Sequence, residues 1–167
     1  VTAGVVLQAR MGSRRLPGKV LARLGPSTML EHCVRRLATS GLRVIVATTT
    51  RPEDDAVAAE ARRLGVDVFR GSDADVLGRY VAAARAAGLT AIVRATADNP
   101  FVDAGSIARL IAVAEVVQAD HLVEAGLPVG AAVELVTRDA LERADALASD
   151  PFDREHVTSL VRRDSRF

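Results

Sequence analysis

The chain has 167 residues, 49% of them hydrophobic and 26% charged, the balance of an ordinary globular protein with one sizeable core. A formal net charge of +1 and 3% aromatics provide neither the field nor the stacking surface that a nucleic-acid partner asks for, and no apolar run reaches the length of a membrane span. The single cysteine, Cys33, excludes an internal disulfide and fits a reducing, cytoplasmic setting.

The first predicted element is a buried strand over the apolar run Gly4 to Leu7. It runs into a basic, glycine-bearing loop, Gln8 to Leu21, in which Arg10, Arg14, Arg15 and Lys19 fall within ten positions. Gly12 and Gly18 let backbone N–H groups approach an anion closely, so the loop has the makings of a phosphate seat, the plain alternative being a solvated basic surface loop. The chain holds twenty-one arginines and one lysine, and that one ammonium is at Lys19, where a compact point charge is set in place of a planar fork. Five residues separate Gly12 from Gly18 and Val20 follows Lys19, so the loop is not a Walker A sequence, and no Gly-x-Gly-x-x-Gly follows the strand.

Thr28 and Glu31 have capping-box spacing ahead of a helical stripe Leu30, Cys33, Val34, Leu37 that Gly41 ends; Cys33 is thereby a core residue. A second strand is expected over Arg43 to Thr48, then a helix that starts at Pro52 with Glu53, Asp54 and Asp55 matched to its dipole and ends near Gly65. Asp67 to Arg70 reads as a third strand, and Asp73 is placed to cap a helix with the stripe Leu77, Tyr80, Val81, Ala84. Ala91 to Ala95 reads as a fourth strand running into Thr96-Ala97-Asp98-Asn99-Pro100. A carboxylate just past a central strand of an open α/β sheet faces the ligand crevice, and triphosphate chemistry needs a hard oxygen ligand for magnesium; Asp98 is that candidate, the alternative being a turn residue before Pro100. Asp103 is placed to cap a long helix with Ile107, Leu110, Ile111, Ala114 and Val117 inward. After the turn residues Gly126 to Gly130, a strand over Ala132 to Val136 carries Glu134, whose charge asks for an arginine partner or a ligand. Thr137 caps a further helix (Leu141, Ala144, Ala148), and Arg154 to Thr158 opens a last amphipathic segment.

The loop resembles the nucleotide loop of the sugar cytidylyltransferases, Ala-Arg-x-x-Ser-x-Arg-Leu-Pro-Gly-Lys, with Ala9, Arg10, Ser13, Arg15, Leu16, Pro17, Gly18 and Lys19 at its fixed positions. The similarity extends along the chain. Gly71, Ser72, Asp75 and Arg79 match a Gly-Ser-x-x-Asp-Val-Leu-x-Arg segment that in the family lies against the base. Asp98-Asn99-Pro100 matches the metal-binding Asp-x-Pro, and Gly-Leu-Pro-x-Gly, Val-Glu and Arg-Glu-His-Val-Thr recur in order in the spore-coat-polysaccharide branch, related to the acylneuraminate and 3-deoxy-manno-octulosonate cytidylyltransferases.

The resemblance implies an α/β fold, a doubly wound, mostly parallel sheet like that of the nucleotide-diphospho-sugar transferases, with residues 1–167 as one nucleotidyltransferase domain. It implies transfer of CMP from CTP to an acidic sugar for cell-surface polysaccharide, with release of pyrophosphate and Mg2+ as cofactor. Lys19, Arg10 and Arg15 are the implied catalytic charges, Ala9, Gly12, Ser13, Gly18, Gly71, Ser72, Asp75 and Arg79 the nucleotide contacts, and Asp98 the metal ligand. Glu134, Arg154 and His156 are implied on the sugar side or at the interface of a homodimer, the state common among relatives. Relatives also carry a later Val-Asp-Thr-x-x-Asp segment with a second metal carboxylate; its absence here makes binding more secure than turnover and leaves Glu134 as a substitute. Another nucleotide base, or a non-catalytic nucleotide-binding module, is the alternative.

Overall fold

The computed structural model describes residues 1–13 and 16–167. Strand β1 (Ala3–Gln8) has Val5, Val6 and Leu7 fully buried, so it reads as an unbroken apolar run because both of its faces are covered. It leads through the basic loop to a 3-10 turn (Lys19–Leu21) and a small antiparallel ribbon of β2 (Arg23–Leu24) and β3 (Ser27–Thr28). Helix α1 (Met29–Ala38) follows, capped by the Thr28 hydroxyl accepting from Glu31 N. The reciprocal half of the expected capping box is absent, because the Glu31 carboxylate turns to Arg63 and Arg35.

Then come β4 (Arg43–Thr49), a 3-10 turn (Pro52–Asp54), α2 (Asp55–Arg63), β5 (Asp67–Gly71), α3 (Val76–Ala86) and β6 (Ala91–Thr96). Asp75, not Asp73, caps α3: its carboxylate accepts from Gly78 N at 2.9 Å. Asp73 lies too far ahead of the first turn and pairs with Arg10 and Arg51. Helix α4 (Gly105–Val116) starts two residues past Asp103, whose carboxylate accepts from Gly105 N, and the helix ends before Val117, which faces solvent where an inward position was expected. The last third holds β7 (His121–Val123), β8 (Glu134–Thr137), α5 (Arg138–Leu147, capped by Thr137), α6 (Pro151–His156) and α7 (Ser159–Arg163). Strand β8 thus begins two residues later than the apolar run suggests.

The expected last amphipathic segment is two short helices with a break between them. Val157, fully buried, has φ 58° and ψ −64°, and Thr158 N donates to His156 O at 2.6 Å. That is a γ-turn of the rare, strained hand, on a β-branched residue.

The six-stranded sheet has the order β5-β4-β1-β6-β8-β7, with β5, β4, β1 and β6 parallel and β8 antiparallel to both its neighbours. One core layer packs Val5, Leu7 and Val93 against Leu30, Leu37, Val57 and Ile107 of α1, α2 and α4. The other packs Val6, Ile45 and Ile92 against Leu77, Tyr80, Leu141 and Leu160 of α3, α5 and α7. With helices on both faces the fold is the expected doubly wound, mostly parallel α/β sheet. From β1 the chain crosses to β4 on one side, and β6 returns on the other, so the topological switch point lies between the C-terminal ends of β1 and β6. No helix among the described residues is long and apolar enough to cross a membrane.

Replacing the cap distinguishes the two aspartates. Asp75→Ala is expected to lower stability by about 1 kcal/mol, seen as a lower midpoint in urea. Asp73→Ala, which loses only half-exposed ion pairs, is expected to melt close to the parent; the reverse order would return the cap to Asp73.

Candidate nucleotide site

The basic loop is built on the backbone of one residue, Met11. Met11 N donates at 2.7 Å to the carboxylate of Asp54, which is 1% exposed and also accepts from the Thr49 hydroxyl at the end of β4. On its other side, Met11 O accepts from Ser13 N at 2.8 Å and from Gly18 N at 3.0 Å, so the two ends of the loop close on the same carbonyl. Gly18 has φ 71°, the left-handed conformation in which a Cβ is disfavoured, and it starts the 3-10 turn whose inner residue, Val20, is buried. This turn aims Lys19 across the sheet. Its Nζ stands 2.9 Å from Asp98 Oδ2.

Both residues line a cavity of about 440 Å3 at the ends of β1 and β6. The first strand and its loop supply Gln8, Ala9, Arg10, Gly12, Ser13, Lys19 and Val20; the second supplies Thr96, Ala97 and Asp98; Glu155 and His156 close it from α6. Of the expected loop contacts, Ala9, Arg10, Gly12, Ser13 and Lys19 line it, and Gly18 shapes the turn behind Lys19. Arg15 lies outside the described residues. Asp98 is half-exposed; burial pushes its carboxyl up, but hydrogen bonds from Thr96 and Lys19 and the ammonium's charge outweigh this and hold it below the usual carboxylate range. It is therefore an anion over the whole physiological range.

Gly71, Ser72, Asp75 and Arg79 are not among the residues that line this cavity. They reach it indirectly, because Asp73, in the same β5–α3 connection, bonds Arg10 at 3.0 Å and Arg51 at 3.0 Å. Burial pushes Asp73 up, yet the bonds from Arg51 and Arg10 leave its carboxyl lowered. Arg79 is 1% exposed: its Nη1 donates to Ser72 O, while Nε and Nη2 have no partner among the described residues. Burial lowers its pKa.

The three sugar-side candidates part company. His156 is in the cavity wall, with the Phe152 ring tilted 44° against it at 4.2 Å between centroids. Arg154 is a staple, bonding Asp145 and the Ala148 carbonyl and reaching Asp75 at 3.4 Å. Glu134 finds the arginine its strand asked for: Arg94 Nη1 at 3.2 Å, with His121 Nε2 at 3.2 Å and the Thr158 hydroxyl at 2.5 Å. It lines a neighbouring slot and not the cavity of Asp98. Burial pushes Glu134 up, but these partners override it and bring its pKa to about 2. Cys33 is buried, and burial pushes its thiol up to about 12, which makes it a core residue with no thiolate chemistry.

Residues that sequence reasoning passed over are Asp54, Thr96, Arg94 and Glu155. Arg94 left a signal, an arginine in the middle of an apolar strand. Asp54 left none that separates it from Glu53 and Asp55.

Residues 4–167 match the protein family described as cytidylyltransferase. The chain belongs to the cytidylyltransferase family. It is 39% identical over 158 residues to an uncharacterized protein of Methanocaldococcus jannaschii, covering 93% of this chain and 65% of that one. It is 36% identical over 166 residues to the spore coat polysaccharide biosynthesis protein SpsF of Bacillus subtilis, covering 94% of this chain and 68% of that protein. The solved structure of a cytidylyltransferase from Leptospira borgpetersenii superimposes with a TM-score of 0.92 at 33% identity, covering 99% of this chain and 72% of that one. The chain thus spans about two-thirds of the length of the curated relatives it matches. In this cytidylyltransferase-family chain Arg10, Lys19 and Asp98 line the switch-point crevice together.

Two outcomes check this geometry. Asp54→Ala orphans the Met11 N–H and the Thr49 hydroxyl in a buried place, and is expected to cost roughly 1–3 kcal/mol and to speed amide exchange at Met11 and Gly18. Glu53→Ala, on the exposed side of the same turn, is expected to be silent. Glu134, with its folded pKa near 2 and an ordinary value of 4.5, stabilises the fold fully above about pH 4.5 and loses that contribution as pH falls through 2. Glu134→Gln is expected to flatten this part of the stability–pH curve, by on the order of 3 kcal/mol if the whole linkage is realised; a curve as steep as the parent's would place the titration elsewhere.

Proposed function

We propose that residues 1–167 act as one nucleotidyltransferase domain, transferring CMP from CTP to a hydroxyl of an acidic sugar, with release of pyrophosphate, for cell-surface polysaccharide in the cytoplasm. The observation that carries this reading is the Lys19–Asp98 ion pair in the wall of the switch-point cavity, with Arg10, Gly12 and Ser13 of the basic loop lining the same cavity. A tetra-anionic triphosphate needs such a one-sided concentration of donors. The sugar oxygen forms a bond to the α-phosphorus, the bond from that phosphorus to the α,β-bridging oxygen breaks, pyrophosphate departs, and the hydroxyl proton is released. Arg10 and Lys19 offset charge on the phosphate oxygens, the bare backbone at Gly12 lets them approach the loop, and His156 shields the cavity from α6. Catalysis of this kind is chiefly positioning and electrostatics, and no covalent protein nucleophile is required.

Asp98 fits magnesium: it is an ionised hard-oxygen donor on the cavity wall. No group of three His, Cys, Asp or Glu capable of holding a metal occurs among the described residues. A single carboxylate with substrate phosphates is the usual protein share of a magnesium site. Bound there, the ion would neutralise charge on the phosphates. Support for cytosine and for the sugar class comes from family membership and from SpsF's place in spore coat polysaccharide biosynthesis. A homodimer is proposed on the family's habit.

The test is a thermal-shift panel of CTP, UTP, ATP and GTP with and without magnesium, since a ligand of the native state raises its melting point. CTP with magnesium is expected to give the largest shift; equal shifts for all four would remove the base assignment. Lys19→Arg is expected to fold normally and to bind CTP clearly more weakly, because a guanidinium cannot occupy the point of the ammonium behind the Gly18 turn. Arg23→Lys, an exposed arginine bonded to Pro26 O, serves as the silent control. Calorimetry giving Lys19→Arg the parent's affinity would take the phosphate role from Lys19.

A further inference from the structure

Two consecutive residues of the basic loop are each fixed by a carboxylate from another part of the chain. The Met11 amide donates to Asp54, and the Arg10 guanidinium donates through Nη1 to Asp73 Oδ1 at 3.0 Å. Both carboxylates are tied to the stretch Thr49 to Asp54 at the end of β4. Asp54 accepts from the Thr49 hydroxyl, and the other oxygen of Asp73, Oδ2, accepts from Arg51 Nη1 at 3.0 Å. Arg51 is braced in turn: its amide donates to Thr49 Oγ1 at 3.1 Å, its Nε stands 2.6 Å from Glu53 Oε1, and its carbonyl accepts from Arg70 Nη2 at 3.0 Å. One oxygen of Asp73 is thus anchored at the end of β4, and the other is left for Arg10.

The Arg10–Asp73 contact does little for the fold. The two side chains are 34% and 31% exposed, and a pair so solvated adds little stability. Its effect is to hold a long side chain still. A free arginine samples many rotamers, and each binding event has to freeze them again. Arg10 lines the nucleotide cavity, and its bond to Asp73 takes Nη1 alone; among the described residues no other acceptor is bonded to this guanidinium. The rest of the fork is kept for an anion in the cavity.

The charges around the pair point the same way. Arg79, 1% exposed, has its pKa lowered first by burial; the charge of Arg10 lowers it further and that of Asp73 opposes this. Arg10 and Arg79 therefore repel each other, and removing the Asp73 charge would leave Arg10 beside Arg51 and Arg79 without the carboxylate that offsets the repulsion. Asp73 stands at an open position of the Gly-Ser-x-x-Asp-Val-Leu-x-Arg pattern, so the resemblance assigns it no role.

We propose that Asp73 is a positioning residue: anchored by Arg51, it holds the Arg10 guanidinium at the cavity wall with its free donors in place for the triphosphate. The proposal rests on the reading of the cavity as a nucleoside triphosphate site. It makes the β5–α3 connection act on the phosphates through one side chain. The opposite role is physically distinct, because a carboxylate that only occupies Arg10 until an anion arrives competes with the phosphates, and its removal would tighten binding.

The experiment is calorimetric titration of CTP and of inorganic tripolyphosphate, each with magnesium, into the parent, Asp73→Ala, Arg10→Ala and the double variant. Asp73→Ala is expected to weaken both ligands about tenfold, the order set by an arginine's rotamer freedom, with a urea midpoint close to the parent's. Asp73→Asn, which keeps the shape and removes the charge, is expected to shift affinity in the same direction. Because Asp73 acts through Arg10, adding Asp73→Ala to Arg10→Ala is expected to change affinity by less than about twofold. Unchanged or tighter binding in Asp73→Ala and Asp73→Asn, or the same loss with and without Arg10, overturns the proposal. A loss confined to CTP does so too, since it would act through the base and not through Arg10. A parent that binds tripolyphosphate as tightly as CTP counts instead against the cytidylyl-transfer reading, and the tripolyphosphate titrations still decide the role of Asp73. Binding of neither ligand by the parent removes both.

Discussion

The buried carboxylate of Asp54 is the contact on which the crevice depends. A carboxylate removed from water is tolerated only when hydrogen-bonded, and Asp54 is satisfied by the Met11 amide and the Thr49 hydroxyl. The requirement runs both ways. The amide of Met11, just past the end of β1, needs an acceptor, and the carboxylate needs its donor, so the loop's first peptide is fixed against β4. Because Met11 O then receives both Ser13 N and Gly18 N, the direction of the loop, and with it the reach of Lys19, is set from this one residue. Asp73 and, to a smaller extent, Asp54 also place negative charge near the buried Arg79.

Topology supplies the rest of the geometry. The switch in strand order opens a gap between the helices that follow β1 and β6, and the residues just beyond both strands face into it without competition from packing. The antiparallel return of β8 has a different consequence. It joins β6 only as far as Arg94, so the end of β6 has a paired edge toward β1 and an open edge toward the slot. The slot follows from that mismatch in strand length and the larger cavity from the switch in strand order, and Thr96 lines both.

The parallel half of the fold was legible because its signals are local. Apolar runs marked β1, β4, β5 and β6, and Thr28 and Thr137 announced helix starts that the structure places where expected. The loop and Asp98 were legible as types of chemistry, a dense basic run and a carboxylate past a strand. The acidic residues were not, because a cap, a tie to another element and an exposed dipole partner share one composition. Asp73 and Asp75 are two positions apart and differ only in which one meets the first free amides of α3; Glu53, Asp54 and Asp55 differ only in which faces inward. The break at Val157 was illegible for a stronger reason. A valine at positive φ contradicts its own propensity, so only the tertiary packing that buries it can place it there.

The lone lysine can be understood from the same contacts. Several arginines tie elements together through more than one donor, as Arg63 does with Glu31 and Glu60, and Arg154 with Asp145 and the Ala148 carbonyl. A fork of that kind holds its carboxylate in a fixed, multiply bonded pair. Lys19 meets Asp98 through a single contact, with Asp98 more exposed than the lysine. A pair of point charges at a partly solvated site is weakly held and readily exchanged. On the proposed reaction both members must change partners, the ammonium toward phosphate oxygens and the carboxylate toward a divalent cation. A composition that uses arginine at every other basic position keeps lysine at the one place where a charge has to be held in position and still be free to let go.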